Sequence, residues 1–114
     1  EQGLNNTTTA YDLMLIYEKI AEEKAVDKKS YDEMISILVQ QEHNDIIPAE
    51  LPIDVRVAHK TGWITGVRHD SGIVILPDGR KYVLVLLSKN LEDESSAVKA
   101  MAHVSKMIYD FVNG

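Results

Sequence analysis

Apolar residues recur at intervals of three and four positions in three stretches of this chain, a spacing that predicts amphipathic helices. The first two stretches cover residues 9–24 and 30–41, and the longest covers residues 93–112. Thr9 is placed to cap the first helix, and Ser30-Tyr31-Asp32-Glu33 has the form of a capping box for the second. The apolar stripe predicted for the last helix consists of Val98, Met101, Val104, Ile108, Phe111 and Val112.

The middle of the chain changes from helical spacing to alternation and short apolar runs. These patterns predict strands over residues 55–64, 69–76 and 81–88. The turn sequence Pro77-Asp78-Gly79 predicts that the last two strands form a hairpin. The order of elements predicts an α+β fold in which a three-stranded antiparallel sheet packs against helices. No repeat or low-complexity tract divides the chain, so residues 1–114 are expected to form a single α/β unit.

Composition argues against several classes of function. The 114 residues carry a net charge of -6 without a cluster of Lys and Arg, which argues against a nucleic-acid partner. There is no cysteine to serve as a thiol nucleophile. The four histidines lack metal-ligand spacing, and neither a metal nor a cofactor is predicted. No apolar run is long enough to predict a transmembrane segment.

The tripeptide Lys60-Thr61-Gly62 is the most informative motif of the chain. It lies on the first predicted strand, ahead of the hairpin and the last helix. Lys-Thr-Gly is one of three sequence elements that mark serine penicillin-recognising enzymes, the others being Ser-x-x-Lys and Ser-Asp-Asn. A tripeptide alone is a weak signal, so its placement on a strand gives this motif its weight.

From about residue 5 to its end, the chain resembles the last part of class A β-lactamases and their relatives in the penicillin-recognising serine hydrolase superfamily. The resemblance lies in the terminal amphipathic helix and in the segments Thr7-Thr8-Thr9-Ala10-Tyr11-Asp12-Leu13, His59-Lys60-Thr61-Gly62-Trp63, Gly72-Ile73-Val74 and Pro77-Asp78-Gly79. It covers nearly all of this chain but only the C-terminal portion of the family's fold. The resemblance therefore implies a C-terminal fragment of a β-lactamase-like domain.

The resemblance implies roles for four consecutive residues. Lys60 corresponds to a catalytic lysine whose ammonium adds positive potential beside the nucleophile and favours proton transfer. The Thr61 hydroxyl would hold the substrate carboxylate, and Gly62 would leave room for a ligand along the strand edge. The backbone amide of Trp63 would complete the oxyanion hole, while its indole either lines the cleft or covers apolar surface.

The nucleophile that the family uses is not found in this chain. The family takes it from a Ser-x-x-Lys motif upstream of Lys-Thr-Gly. The only such sequence here, Ser96-Ala97-Val98-Lys99, lies in the last predicted helix and is interpreted as helix surface. No Ser-Asp-Asn occurs. Ser71 stands where many class A enzymes have a substrate-binding arginine, and Arg68 is not at the matching position.

Three further expectations concern the strands around the motif. His59 alternates onto the face opposite Lys60 and is expected to pack behind the strand. His69 and Asp70 are a candidate acid–base pair, although neighbours on a strand point to opposite faces. Residues 64–70 are expected to form a longer loop than in typical secreted penicillinases.

The resemblance leads to a function hypothesis for the parent protein. The parent would hydrolyse β-lactam amides through an acyl-serine intermediate and so serve antibiotic resistance, whereas the 114-residue chain alone is predicted to be inactive. One alternative is a penicillin-binding D,D-peptidase or esterase. Another is a non-catalytic β-lactamase-like protein that binds the cell wall.

The resemblance also implies where the protein acts and what it contacts. Its substrate would be a β-lactam or a peptidoglycan-like molecule, and its location would be secreted, periplasmic or at the cell surface. The strand predicted over residues 81–88 would lose a neighbour supplied by the N-terminal part of the parent. This edge is expected either to bind the missing N-terminal segment or to self-associate.

Overall fold

The computed structural model describes residues 8–22 and 27–114. Thr7 and the predicted end of the first helix at residues 23–24 lie outside these described residues. The described chain forms, in order, α1 (Ala10–Ala21), α2 (Lys28–Val39), β1 (Arg56–Ile64), β2 (Val67–Ile75), β3 (Lys81–Ser88) and α3 (Glu94–Asn113). The predicted α+β class, with a three-stranded antiparallel sheet packed against helices, is confirmed.

The sheet has the order β1-β2-β3, so the strand that carries Lys-Thr-Gly lies at one edge of the described sheet. Only residues 65–66 separate β1 from β2, and Gly66 has a φ of 76°. Glycine takes positive φ without steric cost, which permits so tight a turn. The longer loop expected over residues 64–70 is therefore wrong, because β2 begins at Val67 and pairs at once with Ile64.

The second hairpin closes at the predicted Pro77-Asp78-Gly79 turn. The backbone N–H of Gly79 donates to the carbonyl of Leu76 at 2.9 Å, and Gly79 has a φ of 94°. The Asp78 carboxylate accepts from the backbone N–H of Arg80 at 2.9 Å. These bonds satisfy the turn locally, so β2 and β3 can continue as paired strands on either side of it.

The sheet lies between two layers of helix, with one hydrophobic core on each face. Helices α1 and α2 cover one face, where the buried residues are Tyr17, Tyr31, Ile35, Ala58 and Ile73. Helix α3 and the connector between α2 and β1 cover the other, where the buried residues are Ile46, Ile47, Val55, Val57, Val74, Leu76, Leu84, Val98 and Tyr109. Alternate residues of β1 therefore point into different cores.

The helix starts follow the expected capping chemistry at one predicted position but not at the other. The Thr9 hydroxyl oxygen accepts from the N–H of Asp12 at 3.1 Å, as expected. The second cap is Asp27 rather than Ser30, because the Asp27 carboxylate accepts from the N–H of Ser30 at 2.8 Å. That backbone hydrogen bond lowers the pKa of Asp27. A carboxylate at this position also favours the positive end of the helix.

The predicted stripe of α3 is confirmed in part, because Val98 is buried and Met101, Ile108 and Val112 pack against the core. The remaining members of the stripe differ from the prediction. Val98, Ala102, Ser105 and Tyr109 are buried, whereas Val104 is 42% and Phe111 is 85% exposed. Met107 is 58% exposed on the same side. Ser105 faces inward because its hydroxyl donates to the carbonyl of Ile47 at 2.8 Å. A hydrophobicity pattern misses such a stripe because two of its members are alanine and serine.

Candidate active site

Lys60 is exposed at the edge strand, on the sheet face that α1 and α2 cover. Its Nζ donates to the carbonyl oxygen of Thr61 at 2.7 Å, so the ammonium lies against its own strand. Directly across on β2 is Ser71, whose Oγ lies 3.0 Å from the hydroxyl oxygen of Tyr17 on α1. Burial raises the pKa of Tyr17, so that hydroxyl stays protonated at neutral pH.

The next two residues of the motif differ in accessibility. Thr61 is 7% exposed and lies opposite Asp70. Gly62 is half-buried and lies opposite His69, and a Cβ at Gly62 would meet the His69 ring at an ordinary 3.4 Å. No clash within the described residues therefore requires glycine at this position. The space that Gly62 would leave for a substrate along the β1 edge belongs to the proposed function below.

Trp63 presents a half-exposed aromatic surface at the end of the motif. Its side chain is 51% exposed, and the ring of His43 contacts it edge-on at a centroid distance of 4.8 Å. The Arg68 guanidinium carbon lies 5.3 Å from the indole centroid on the paired strand, which is a cation–π distance. Asp45 accepts from Arg68 Nη2 at 2.9 Å and fixes that guanidinium. The indole is therefore held from two sides.

Ser71 stands where many class A enzymes have a substrate-binding arginine, and Arg68 does not replace that arginine in space. Ser71 shares the face of Lys60, where its hydroxyl is bonded to Tyr17. Arg68 lies three positions earlier, so strand alternation places it on the other face, against Trp63 and Asp45. The Arg68 guanidinium therefore does not occupy the space across from Lys60.

His59 lies behind the strand, as expected, and is fully buried. Its Nδ1 is 2.7 Å from Oδ1 of Asp70, which is also fully buried. The suggested pair of His69 with Asp70 is wrong, since the aspartate reaches the other strand instead. His69 points to the opposite face, and within the described residues its Nδ1 is buried without a hydrogen-bond partner.

Sequence reasoning missed Asp70 as the partner of His59. The feature of the sequence that could have revealed this pair is the two-residue turn at Gly66, because the position of the turn sets the register of β1 against β2. With that register, Thr61 faces Asp70 and Gly72 faces His59, so His59 and Asp70 are diagonal neighbours on one face. The strand limits predicted from the sequence made this loop two residues longer. That length shifts the predicted pairing of every residue, so His59 and Asp70 are no longer diagonal neighbours.

The Ser-x-x-Lys sequence of α3 lies on the helix surface. Ser96 and Lys99 are both exposed, and the Ser96 Oγ donates to the capping carboxylate of Asp93 at 2.8 Å. This geometry serves the start of a helix. Among the residues that the structure describes, no cluster of acidic, histidine or cysteine side chains is arranged to bind a metal ion. None of the described helices is both long and apolar enough to cross a membrane.

The fold places this chain among proteins of the β-lactamase and transpeptidase fold. The structure of PBP-A superimposes with a TM-score of 0.88 at 30% identity, covering 96% of this chain and 41% of that one. A PBP-A mutant, solved as an acyl-enzyme complex with penicillin G, gives a TM-score of 0.83 at 31% identity with the same coverage. A class A β-lactamase from Bacteroides cellulosilyticus gives 0.79 at 27% identity, covering 93% of this chain and 42% of that one.

Sequence comparison identifies the family. The model of the Beta-lactamase enzyme family, Beta-lactamase2, matches residues 1–112. A curated β-lactamase from Bacteroides uniformis is 35% identical, with a match that covers 53% of this chain and 23% of the relative. This chain belongs to the Beta-lactamase enzyme family and is similar to β-lactamases and to PBP-A. It spans well under half the length of the relatives it matches.

Proposed function

We propose that this chain is the C-terminal part of a class A β-lactamase-like serine hydrolase. In this proposal the parent protein opens β-lactam amides through an acyl-serine intermediate. The observation that carries it is the position of Lys60-Thr61-Gly62 on an edge strand in a chain that belongs to this family. The acyl-enzyme complex of the PBP-A mutant with penicillin G gives further support for a β-lactam as the substrate class.

Each residue of the motif has a distinct proposed task. The exposed Lys60 ammonium contributes positive potential toward the nucleophile and an anionic substrate. The Thr61 hydroxyl donates a hydrogen bond to the substrate carboxylate. Gly62 leaves the strand edge open, and the backbone N–H of Trp63 stabilises the oxyanion. Because β1 is an edge strand of the described sheet, half of its backbone groups point away from β2 and can bind a ligand.

The serine nucleophile comes from another part of the parent in this proposal. Ser96 does not serve, because its N–H and its hydroxyl both bond to the Asp93 carboxylate at the start of α3. The missing N-terminal segment would also pair with the open side of β3. The resemblance further supports a parent that is exported or at the cell surface and contributes to antibiotic resistance.

A penicillin-binding D,D-peptidase or esterase is the second candidate. The similarity to PBP-A, at a TM-score of 0.88, and the penicillin G acyl-enzyme of its mutant support this second candidate. The β-lactamase and the peptidase candidates differ in the fate of the acyl-enzyme, because a peptidase releases the penicilloyl group slowly. A third candidate keeps the fold for binding the cell wall without catalysis.

The intact parent protein separates these candidates in one assay. It is incubated with a chromogenic cephalosporin and, separately, with a fluorescent penicillin. Repeated turnover supports the β-lactamase, and a stable covalent adduct without turnover supports the peptidase or esterase. If neither turnover nor an adduct appears while the parent still binds peptidoglycan, the enzymatic proposal is wrong.

The role of the strand is tested by comparing Lys60→Ala with Lys99→Ala in the same parent. Both substitutions remove one exposed lysine, so the second is a matched control. Lys60→Ala should lower kcat/KM by about 10²-fold or more, since it removes a preorganised charge from the site. Lys99→Ala should leave it within about twofold, as is usual for a surface position. Equal losses would reject Lys60 as a site residue.

A further inference from the structure

A network of hydrogen bonds runs directly behind the proposed active-site strand. The two ring nitrogens of His59 each have a partner: Nδ1 lies 2.7 Å from Asp70 Oδ1, and Nε2 lies 3.0 Å from Asn44 Oδ1. The other carboxylate oxygen of Asp70 accepts from the backbone N–H of Ile47 at 3.0 Å. Asn44 and Ile47 belong to the connector between α2 and β1. One side chain of β1 thus joins β2 to the connector.

The network extends from the connector to the last helix. The carbonyl of Ile47, whose N–H contacts Asp70, accepts from the Ser105 hydroxyl of α3 at 2.8 Å. His59, Asp70, Ile47 and Ser105 are all completely buried. Every ring nitrogen and carboxylate oxygen of the histidine–aspartate pair therefore has a partner inside the protein, as a buried polar group requires.

The orientation of Asn44 decides where the protons of this network lie. Its Nδ2 donates to the carbonyl of Gln41 at 2.9 Å, which leaves Oδ1 facing His59. An amide oxygen only accepts, so Nε2 of His59 must carry a proton. The second oxygen of Asp70 accepts from the Ile47 N–H, so the carboxylate is placed as an acceptor and the proton between Nδ1 and Oδ1 is assigned to Nδ1. In this geometry both ring nitrogens of His59 are oriented to donate.

We propose that His59 is a positioning residue of the active site. Its ring donates to Asp70 and Asn44 at once and so holds residues 60–63 of β1 against β2 and the connector. Lys60 follows it directly and points to the opposite face, so a shift of the His59 backbone displaces the ammonium with it. The catalytic consequence rests on the proposed function, whereas the positioning itself does not.

The first test reads the ring directly in the full 114-residue chain at pH 7. Nitrogen-15 NMR of the histidine side chains should show His59 protonated at both ring nitrogens. In Asp70→Asn the new amide can donate to Nδ1 while its oxygen keeps the Ile47 N–H, so the ring should become neutral with a proton on Nε2 alone. A neutral His59 ring in the unmodified chain would overturn the assignment.

The second test measures amide hydrogen exchange of residues 60–63, which needs no turnover. His59→Leu removes both donors and should speed this exchange by about tenfold or more relative to the amides of α1. His103→Leu is the matched control, because His103 is an exposed histidine of α3, and it should change nothing. A uniform change across the chain, or none, would reject positioning.

A fallback variant covers the case in which His59→Leu leaves too much unpaired charge to fold. The double substitution His59→Leu with Asp70→Leu removes the charge and all four polar atoms together, and such replacements of buried pairs commonly fold. It should show the same selective increase in exchange at residues 60–63. If the double variant protects these amides as well as the unmodified chain does, the network does not position the strand.

The last test uses the intact parent and separates this inference from the proposed function. His59→Leu should lower kcat by about tenfold to 10²-fold with KM changed less than about threefold, as expected when a reacting group is misplaced. If the parent hydrolyses the substrate and His59→Leu leaves kcat unchanged, His59 does not position Lys60 for catalysis. A parent that neither turns over nor forms an adduct would refute the proposed function, and the exchange data would still decide the positioning.

Discussion

His59 lies directly opposite Gly72 in the β1–β2 ladder, and the two strands approach closely there because Gly72 has no side chain. A Cβ built on Gly72 would lie 2.7 Å from both Cα and Cβ of His59 and would overlap the carbonyl oxygen of Ala58. Two of these three atoms belong to the backbone of β1, so they cannot move aside without displacing the strand.

We therefore predict that Gly72→Ala destabilises the fold by about 3 kcal/mol, the upper part of the range for overpacking. Equilibrium urea unfolding of the 114-residue chain measures this loss. Gly62→Ala is the matched control on the neighbouring strand, because its new Cβ meets only the edge of His69 at 3.4 Å. It should cost less than about 1 kcal/mol. Similar losses for the two variants would contradict the steric argument.

We predict that the 114-residue chain alone hydrolyses no β-lactam. Acyl transfer needs a nucleophile and a base, and Ser96 is bonded to the Asp93 cap on the helix surface. Hydrolysis of a chromogenic cephalosporin should stay at the buffer rate, and mass spectrometry after incubation with penicillin should show no adduct. Hydrolysis faster than the rate in buffer, or a covalent adduct on Ser96, would contradict this prediction.

Tyr82 makes the stability of the fold sensitive to alkaline pH. Burial, with a smaller effect of Tyr109, raises the pKa of Tyr82 to about 12. The unfolded chain loses this proton near pH 10 and the folded chain near 12, so the associated stability is present below pH 10 and falls between pH 10 and 12.

Tyr82→Phe should flatten that alkaline loss without lowering stability at pH 7. The Tyr82 hydroxyl is buried with no hydrogen-bond partner among the described residues, so its removal leaves no group unsatisfied. Urea midpoints between pH 7 and 12 measure the effect. Tyr11→Phe serves as control, because Tyr11 is 65% exposed and its replacement should leave the midpoint at pH 7 unchanged. A Tyr82→Phe profile that parallels the unmodified chain would contradict the argument.

We predict that the chain self-associates, or that it co-purifies with the N-terminal segment that the proposal assigns to the parent. The outer side of β3 has no strand neighbour among the described residues. Helix α3 also leaves an apolar stripe exposed, formed by Val104, Met107 and Phe111. An open apolar edge and an uncovered helix face both favour association.

Size-exclusion chromatography with light scattering, followed by mass spectrometry, measures this association. Substituting Met107→Lys together with Phe111→Lys should shift the chain toward monomer if the helix stripe contributes. Lys99→Glu, on the exposed surface of the same helix, is the control for a change of charge. A monodisperse monomer of the unmodified chain, with no second peptide, would show that neither surface recruits a partner.

Periodicity in the sequence was enough to predict the class of fold and the face of the sheet on which His59 lies. Strand alternation alone separates His59 from Lys60, and the Pro77-Asp78-Gly79 turn identifies the second hairpin. These features depend on local chemistry, which a single sequence displays. The confirmed α+β arrangement follows from the order of the elements.

The contacts that depend on register and packing were not predictable in the same way. The pairing of His59 with Asp70 requires the turn to fall at residues 65–66, and Thr65-Gly66 is a weaker turn signal than Asp78-Gly79. The inward position of Ser105 depends on a carbonyl of the distant connector. Such tertiary hydrogen bonds leave no mark in the spacing of apolar residues.

The order of the strands in space is also their order along the chain, and this has a consequence for how the molecule forms. Each pairing closes a loop of only a few residues, so it loses little chain entropy, and hairpins form in about 1–10 μs. A ribosome adds roughly 5–20 residues per second, so the 20 residues of α3 need about one second or more to follow.

The strands can therefore pair before α3, which covers one face of the sheet, has been synthesised. We expect nascent chains arrested when residues up to 93 have left the ribosomal exit tunnel to show the β1–β2 and β2–β3 pairings by hydrogen exchange. Arrest after residues up to 113 have left the tunnel should add protection at Ser105. If the sheet amides gain protection only together with Ser105, the two layers form as one unit. For about one second or more during synthesis, the apolar face that α3 later buries is open to chaperones and to other nascent chains.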